Sequence, residues 1–98
     1  MAEVLSIDEL RDRIDVIDNQ LVRLLNVRVA CAVEIGKLKR EIGMPVYQPD
    51  REAKVLAKVK QSALDLSGPL TSEAVARIFE RIIDEMRVVQ KLKMEKGN

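Results

Sequence analysis

Residues 6–42 read SIDELRDRIDVIDNQLVRLLNVRVACAVEIGKLKREI, and this stretch decides the fold. Ser6 and Glu9 have the S-x-x-E spacing of a capping box, in which each side chain satisfies a backbone N–H that a helix start leaves unpaired. Leu5 before the cap and Leu10 after it have the spacing of a hydrophobic staple. Apolar residues then recur in steps of three and four: Ile7, Leu10, Ile14, Ile17, Leu21, Leu24, then position 28, then Cys31, Ile35, Leu38 and Ile42. This is a coiled-coil seam sustained for about five heptads. It predicts one helix from about Ser6 to Ile42, ended by Gly43 and Pro45.

Outside that stretch, two Gly/Pro clusters divide the chain, Gly43-Met44-Pro45-Val46-Tyr47-Gln48-Pro49 and Ser67-Gly68-Pro69. Between them a second helix is expected over about 49–66. Pro49 is tolerated in a first turn, Asp50 and Glu52 favour its positive end, and Val55, Leu56, Val59 and Ala63 form an apolar face. A third is expected over about 72–94, with Thr71 as N-cap and Leu70 and Val75 as a second staple. Its stripe runs through Ile78, Phe79, Ile82, Ile83, Met86 and Val89 into the charged tail KLKMEKGN. Gly36, inside the first helix, marks a close helix approach. No stretch reads as a strand. The expected fold is all-α, a single domain over residues 1–98 with one very long, one short and one medium helix.

The chain has 98 residues, with 17 Lys and Arg against 16 Asp and Glu, a formal net charge of +1. That balance argues against general nucleic-acid binding, which gathers a basic excess on one face. Aromatics are only 2%, Tyr47 and Phe79, so no platform exists for stacking bases. There is no His, which removes the commonest general base and zinc ligand and every Ser-His or Cys-His pair. The lone Cys31 makes neither an internal disulfide nor a Cys-rich metal site and suits a reducing compartment. No run approaches the ~20 apolar residues of a membrane span, and MAEVLSIDEL lacks the features of a signal peptide. A cytoplasmic protein without metal, cofactor, nucleic-acid or membrane partner is the expectation.

Length points to a second chain. A helix of about 37 residues is about 55 Å long, whereas a compact domain of this size is roughly 33 Å across. The first helix must therefore overhang its own domain by some 20 Å and carry an apolar seam with it. Exposing that seam is unfavourable at ~25 cal/mol per Å², and a homodimer of packed long helices would cover it.

Position 28 of the seam is Arg28. A buried, unpaired guanidinium costs several kcal/mol, so an anion must lie nearby. The simplest reading is a register device paired to an internal carboxylate. Arg11 and Lys39 flank the seam, where a solvated side chain is ordinary. Glu52 shares the apolar face of the second helix and Gln90 that of the third, where a helix-dipole partner and a satisfied amide are the plain alternatives. Jointly these residues describe a cavity with several cations, one amide and one carboxylate, suited to a small ligand with more than one negative charge. Arg28 and Lys39 lie about 16 Å apart on one helix and their side chains can converge. Arg11 and Lys39 lie about 42 Å apart, so Arg11 can join only from an antiparallel second chain.

The ordered series Leu10-Arg11, Ile14-x-x-x-Asp18, Leu24-Leu25-x-x-Arg28, Glu34-Ile35-Gly36-x-x-Lys39, Pro45-Val46, Asp50-Arg51-Glu52 and Phe79-x-x-Ile82-Ile83 resembles the all-helical class of chorismate mutase, over about residues 6–91. The resemblance implies an intertwined homodimer of three-helix chains with shared sites. Its implied reaction converts chorismate to prephenate in the shikimate route to Phe and Tyr. That Claisen rearrangement requires no nucleophile, metal or cofactor, only a held conformation and stabilisation of charge on an ether oxygen.

Matched position by position, the resemblance makes Arg28 and the partner's Arg11 carboxylate-binding arginines. It makes Lys39 the lysine that reaches a carboxylate and the ether oxygen, and Gln90 the amide donating to that oxygen. Glu52 becomes the acceptor for the ring hydroxyl and Arg51 a supporting arginine. Gln48 stands where Asp is frequent, which bears on the hydroxyl contact. Met86 stands where a small hydroxyl residue is frequent, which removes one hydrogen bond to a carboxylate. Two rivals stand beside this reading: an isochorismate-pyruvate lyase of the same fold, and a non-catalytic helical dimerisation module in which Arg28 only sets register.

Overall fold

The computed structural model describes residues 4–45 and 47–97, with side chains through residue 93. Val46 of the Pro45-Val46 pair, and residues 1–3 and 98 of the expected domain, lie outside the described residues. Three helices follow in order, α1 (Ile7–Glu41), α2 (Pro49–Leu66) and α3 (Ser72–Gly97). Each boundary has a local cause. Ser6 is extended, and its Oγ accepts from the Glu9 N–H at 3.1 Å, with Asp8 and Glu9 placed near the positive helix end. At the other end Met44 N–H donates to the Lys39 carbonyl at 2.8 Å and Gly43 N–H to that of Arg40 at 3.3 Å. These two bonds form a Schellman cap, and Gly43 supplies its left-handed residue at φ +73°.

Gln48 precedes α2 without a side-chain cap, and Pro49 fills the first position. The helix ends at Ser67, which takes the left-handed conformation at φ 52° ahead of Gly68. α3 is capped by Thr71, whose Oγ1 accepts from the Ala74 N–H at 3.1 Å. It runs past the expected end near residue 94 to Gly97, because the charged tail contains no breaker before that glycine.

α3 packs against both α1 and α2, while the backbones of α1 and α2 do not approach each other among the described residues. Gly36, expected to mark a close helix approach, is the buried residue of α1. Ala76, Ile83 and Met86 of α3 are buried at the centre. The rest of α1 projects outward. The chain measures 61 × 27 × 16 Å and its radius of gyration is 17.4 Å, against about 13 Å for a compact chain of this length. Along the projecting part the seam is open to water, Ile7 at 68%, Ile14 at 54% and Leu24 at 64% exposed. No helix among the described residues is long and apolar enough to cross a membrane.

Candidate functional site

Where the C-terminal half of α1 meets the N-terminal end of α2 and the middle of α3, the helices enclose a cavity of about 290 Å³. Helical spacing accounts for what lines it. Arg28, Ala32, Ile35 and Lys39 follow one another by four, three and four residues, and so share a stripe of α1. Gln48, Arg51, Glu52 and Val55 come from the first turns of α2 and its cap, and Ile83, Met86, Arg87 and Gln90 from one face of α3. The Schellman cap fixes the turn that carries Lys39, since the Lys39 carbonyl is one of its acceptors.

The structure thus brings together Arg28, Lys39, Gln48, Arg51, Glu52, Met86 and Gln90, seven of the residues singled out in the sequence. It leaves Arg11 apart, exposed on the projecting part of α1. At ~1.5 Å per residue Arg11 lies about 26 Å along the helix from Arg28, too far for its side chain to reach the cavity of its own chain. Arg28, Lys39, Gln48, Glu52 and Gln90 are half-buried, Met86 is buried and Arg51 is exposed. The cavity of one chain opens to solvent, and none of the described polar or charged residues is fully buried. Arg28 is half-buried at this open cavity, less enclosed than its seam position implied.

Arg87 also lines the cavity, although the sequence reading did not single it out. Its Nε donates to Glu52 Oε2 and its Nη2 to Glu52 Oε1, each at 3.1 Å, a two-pronged ion pair. Nη2 also donates to Asp84 Oδ1 at 2.9 Å, and the guanidinium lies 5.1 Å from the centre of the Tyr47 ring. A signal existed: Arg87 follows Ile83 by four residues and precedes Gln90 by three, the arithmetic that placed Gln90 on this face. Gln90 is itself held, its Nε2 donating to the Ala32 carbonyl of α1. An amide nitrogen carries a second hydrogen, which remains for a ligand.

The described lining has four cations, Arg28, Lys39, Arg51 and Arg87, against one carboxylate, Glu52. A small anion with more than one charge fits that balance. Among the described residues no group of three or more Asp, Glu or Cys is placed to hold a metal ion.

Comparison with known proteins agrees with this geometry. The family model for chorismate mutase type II matches residues 10–91. The bifunctional chorismate mutase/prephenate dehydratase of Neisseria gonorrhoeae is 42% identical over 91 residues, covering 88% of this chain and 24% of that protein. The chorismate mutase of Methanocaldococcus jannaschii is 25% identical over 87 residues, covering 89% of this chain and 86% of that one. The structure of chorismate mutase (form II) from Thermus thermophilus superposes with a TM-score of 0.81 at 30% identity, over 87% of this chain and 93% of that chain. The chain spans about a quarter of the length of the bifunctional relatives it matches. The span matched by the family model takes in every residue that lines the cavity, and the chain belongs to the chorismate mutase type II family.

Proposed function

We propose that this chain, read as one domain over residues 1–98, converts chorismate to prephenate in the biosynthesis of Phe and Tyr. The observation that carries this reading is the convergence of Arg28, Lys39 and Arg51 with the Gln90 amide on one cavity. Chorismate carries two carboxylates and a flexible enolpyruvyl arm. Arg28, Lys39 and Arg11 of the partner subunit hold the carboxylates, with Arg51 supporting them, and together they fold the arm over the ring. In one concerted step the ether C–O bond breaks while a C–C bond forms, with electrons moving around a six-membered ring. Negative charge grows on the ether oxygen, and the Lys39 ammonium and Gln90 N–H are aimed there before the reaction begins. Glu52 accepts a hydrogen bond from the ring hydroxyl. Gln48, where the family often has Asp, lies at the same end and retains an acceptor oxygen. Met86 contributes an apolar wall in place of a hydroxyl.

The active form in this reading is an intertwined homodimer with two shared cavities. Support comes from the uncovered seam of α1 and from the distance that separates Arg11 from the cavity of its own chain. A second α1 packed antiparallel both covers the seam and brings Arg11 of the partner subunit to the open side. We place the enzyme in the cytoplasm, where the single free Cys31 fits a reducing setting.

Incubation with chorismate, followed by identification of the product, tests the reading. Prephenate is the expected product. Pyruvate released from isochorismate, without prephenate from chorismate, would make the protein a lyase. No turnover and no thermal stabilisation by a bicyclic transition-state mimic would reduce it to a dimerisation module.

A further inference from the structure

Arg87 lies outside the series of residues that carries the family likeness, yet it joins three segments at the cavity. It grips Glu52 of α2 through both carboxylate oxygens at 3.1 Å, reaches Asp84 on its own helix at 2.9 Å, and covers Tyr47 of the α1–α2 connection. We infer that Arg87 is a positioning residue, which holds Glu52 in one orientation and keeps it off the cations that bind the substrate's carboxylates. The inference rests on the mutase reading of this cavity and extends it to the ring-hydroxyl end.

Charge makes the argument. Glu52 is the one carboxylate among the described lining residues, and it shares the cavity with Arg28 and Arg51. A mobile carboxylate there would pair with one of these and cancel charge that a dianion requires. A planar guanidinium that presents two parallel N–H groups offers a better partner than any single contact. The Asp84 oxygen on one side and the Tyr47 ring face on another fix the plane of that fork. Arg87 is half-buried, and its charge is met by Glu52 and Asp84, so it adds no net attraction for the substrate. An ionised carboxylate has about four lone-pair sites. The fork uses one on each oxygen and leaves the others for the ring hydroxyl.

The hydroxyl takes no part in the bonds that break or form. Its contact is the same in bound substrate and transition state, so losing it raises KM and leaves kcat nearly unchanged. The experiment compares kcat and KM for chorismate in the intact protein, Arg87→Met, Arg87→Lys, Glu52→Ala and Glu52→Ala combined with Arg87→Met, with thermal unfolding of each. Arg87→Met raises KM about tenfold with kcat within about threefold, as expected for a lost hydrogen bond to a charged group. Arg87→Lys, a point charge without the fork, falls between. On the Glu52→Ala background Arg87→Met changes KM by less than about twofold, because nothing remains to position. A KM within about twofold of native in Arg87→Met, or an undiminished rise once Glu52 is gone, overturns the inference. Should Arg87→Met fail to fold, Arg87→Lys with and without Glu52→Ala supplies the same comparison. Turnover with silent Arg87 variants rejects this inference alone; an intact protein without turnover rejects the mutase reading and this inference together.

Discussion

Lys39 of α1 and Gln90 of α3 line one cavity, and in the proposed reaction both are donors to the ether oxygen on which charge develops. Lys39→Ala removes one, and kcat is expected to fall about 100-fold or more, as when an oxyanion donor is lost. A kcat within a few-fold of native would remove Lys39 from that role. Gln90→Glu changes the second donor into a group that donates only when protonated. Turnover by this variant should decline as pH rises through the titration of its carboxyl, where the native amide shows no such limb; a flat rate-pH profile contradicts the assignment. Lys39, Glu52 and Gln90 were legible in the sequence because each stands beside or on an apolar helix face. Arg87 was not, although it shares the face of Gln90. Helical spacing states which face a residue occupies but says nothing of a partner on another helix, and Glu52 and Tyr47 meet Arg87 only after α2 docks on α3.

Among elements, the helix boundaries were the most legible part, since caps are local chemistry. Ser6, Gly43 and Thr71 each perform the role their residue type and spacing imply. The end of α2 differs in detail. The left-handed position falls on Ser67 rather than on the neighbouring Gly68, because the Ser67 N–H turns back to the Ala63 and Leu64 carbonyls. Opposite substitutions follow from this. A Cβ at Gly43 meets nothing within 4 Å, so Gly43→Ala suffers only the backbone penalty of φ +73° and should destabilise by about 1 kcal/mol. Ser67→Gly relieves the same penalty and should stabilise by up to about 1 kcal/mol. Urea unfolding at one fixed protein concentration measures both, and equal midpoints for the two variants would contradict the caps described. At the start of α3 the Glu73 carboxyl is held below its usual range, chiefly by its own backbone N–H and then by Ser72. That contribution is present above the ordinary Glu range and fades as pH falls through the lowered value.

On the scale of the whole molecule, the dimensions of 61 × 27 × 16 Å follow from α1 extending beyond the helices that pack on it. Its overhang was legible as arithmetic, helix length against domain diameter. The burial that the seam position implied for Arg28 is only partial within one chain, where Arg28 is half-buried beside an open cavity. If the two open features, the bare seam and the uncovered cavity, close against a second chain, Arg11 and Arg28 of each site come from different protomers. Mixing Arg11→Ala chains with Arg28→Ala chains tests this most directly. Each variant alone has only defective sites, whereas a heterodimer has one intact site and one doubly defective. With random exchange, about a quarter of the native turnover should return. No recovery, with subunit exchange verified independently, would contradict a site shared between protomers.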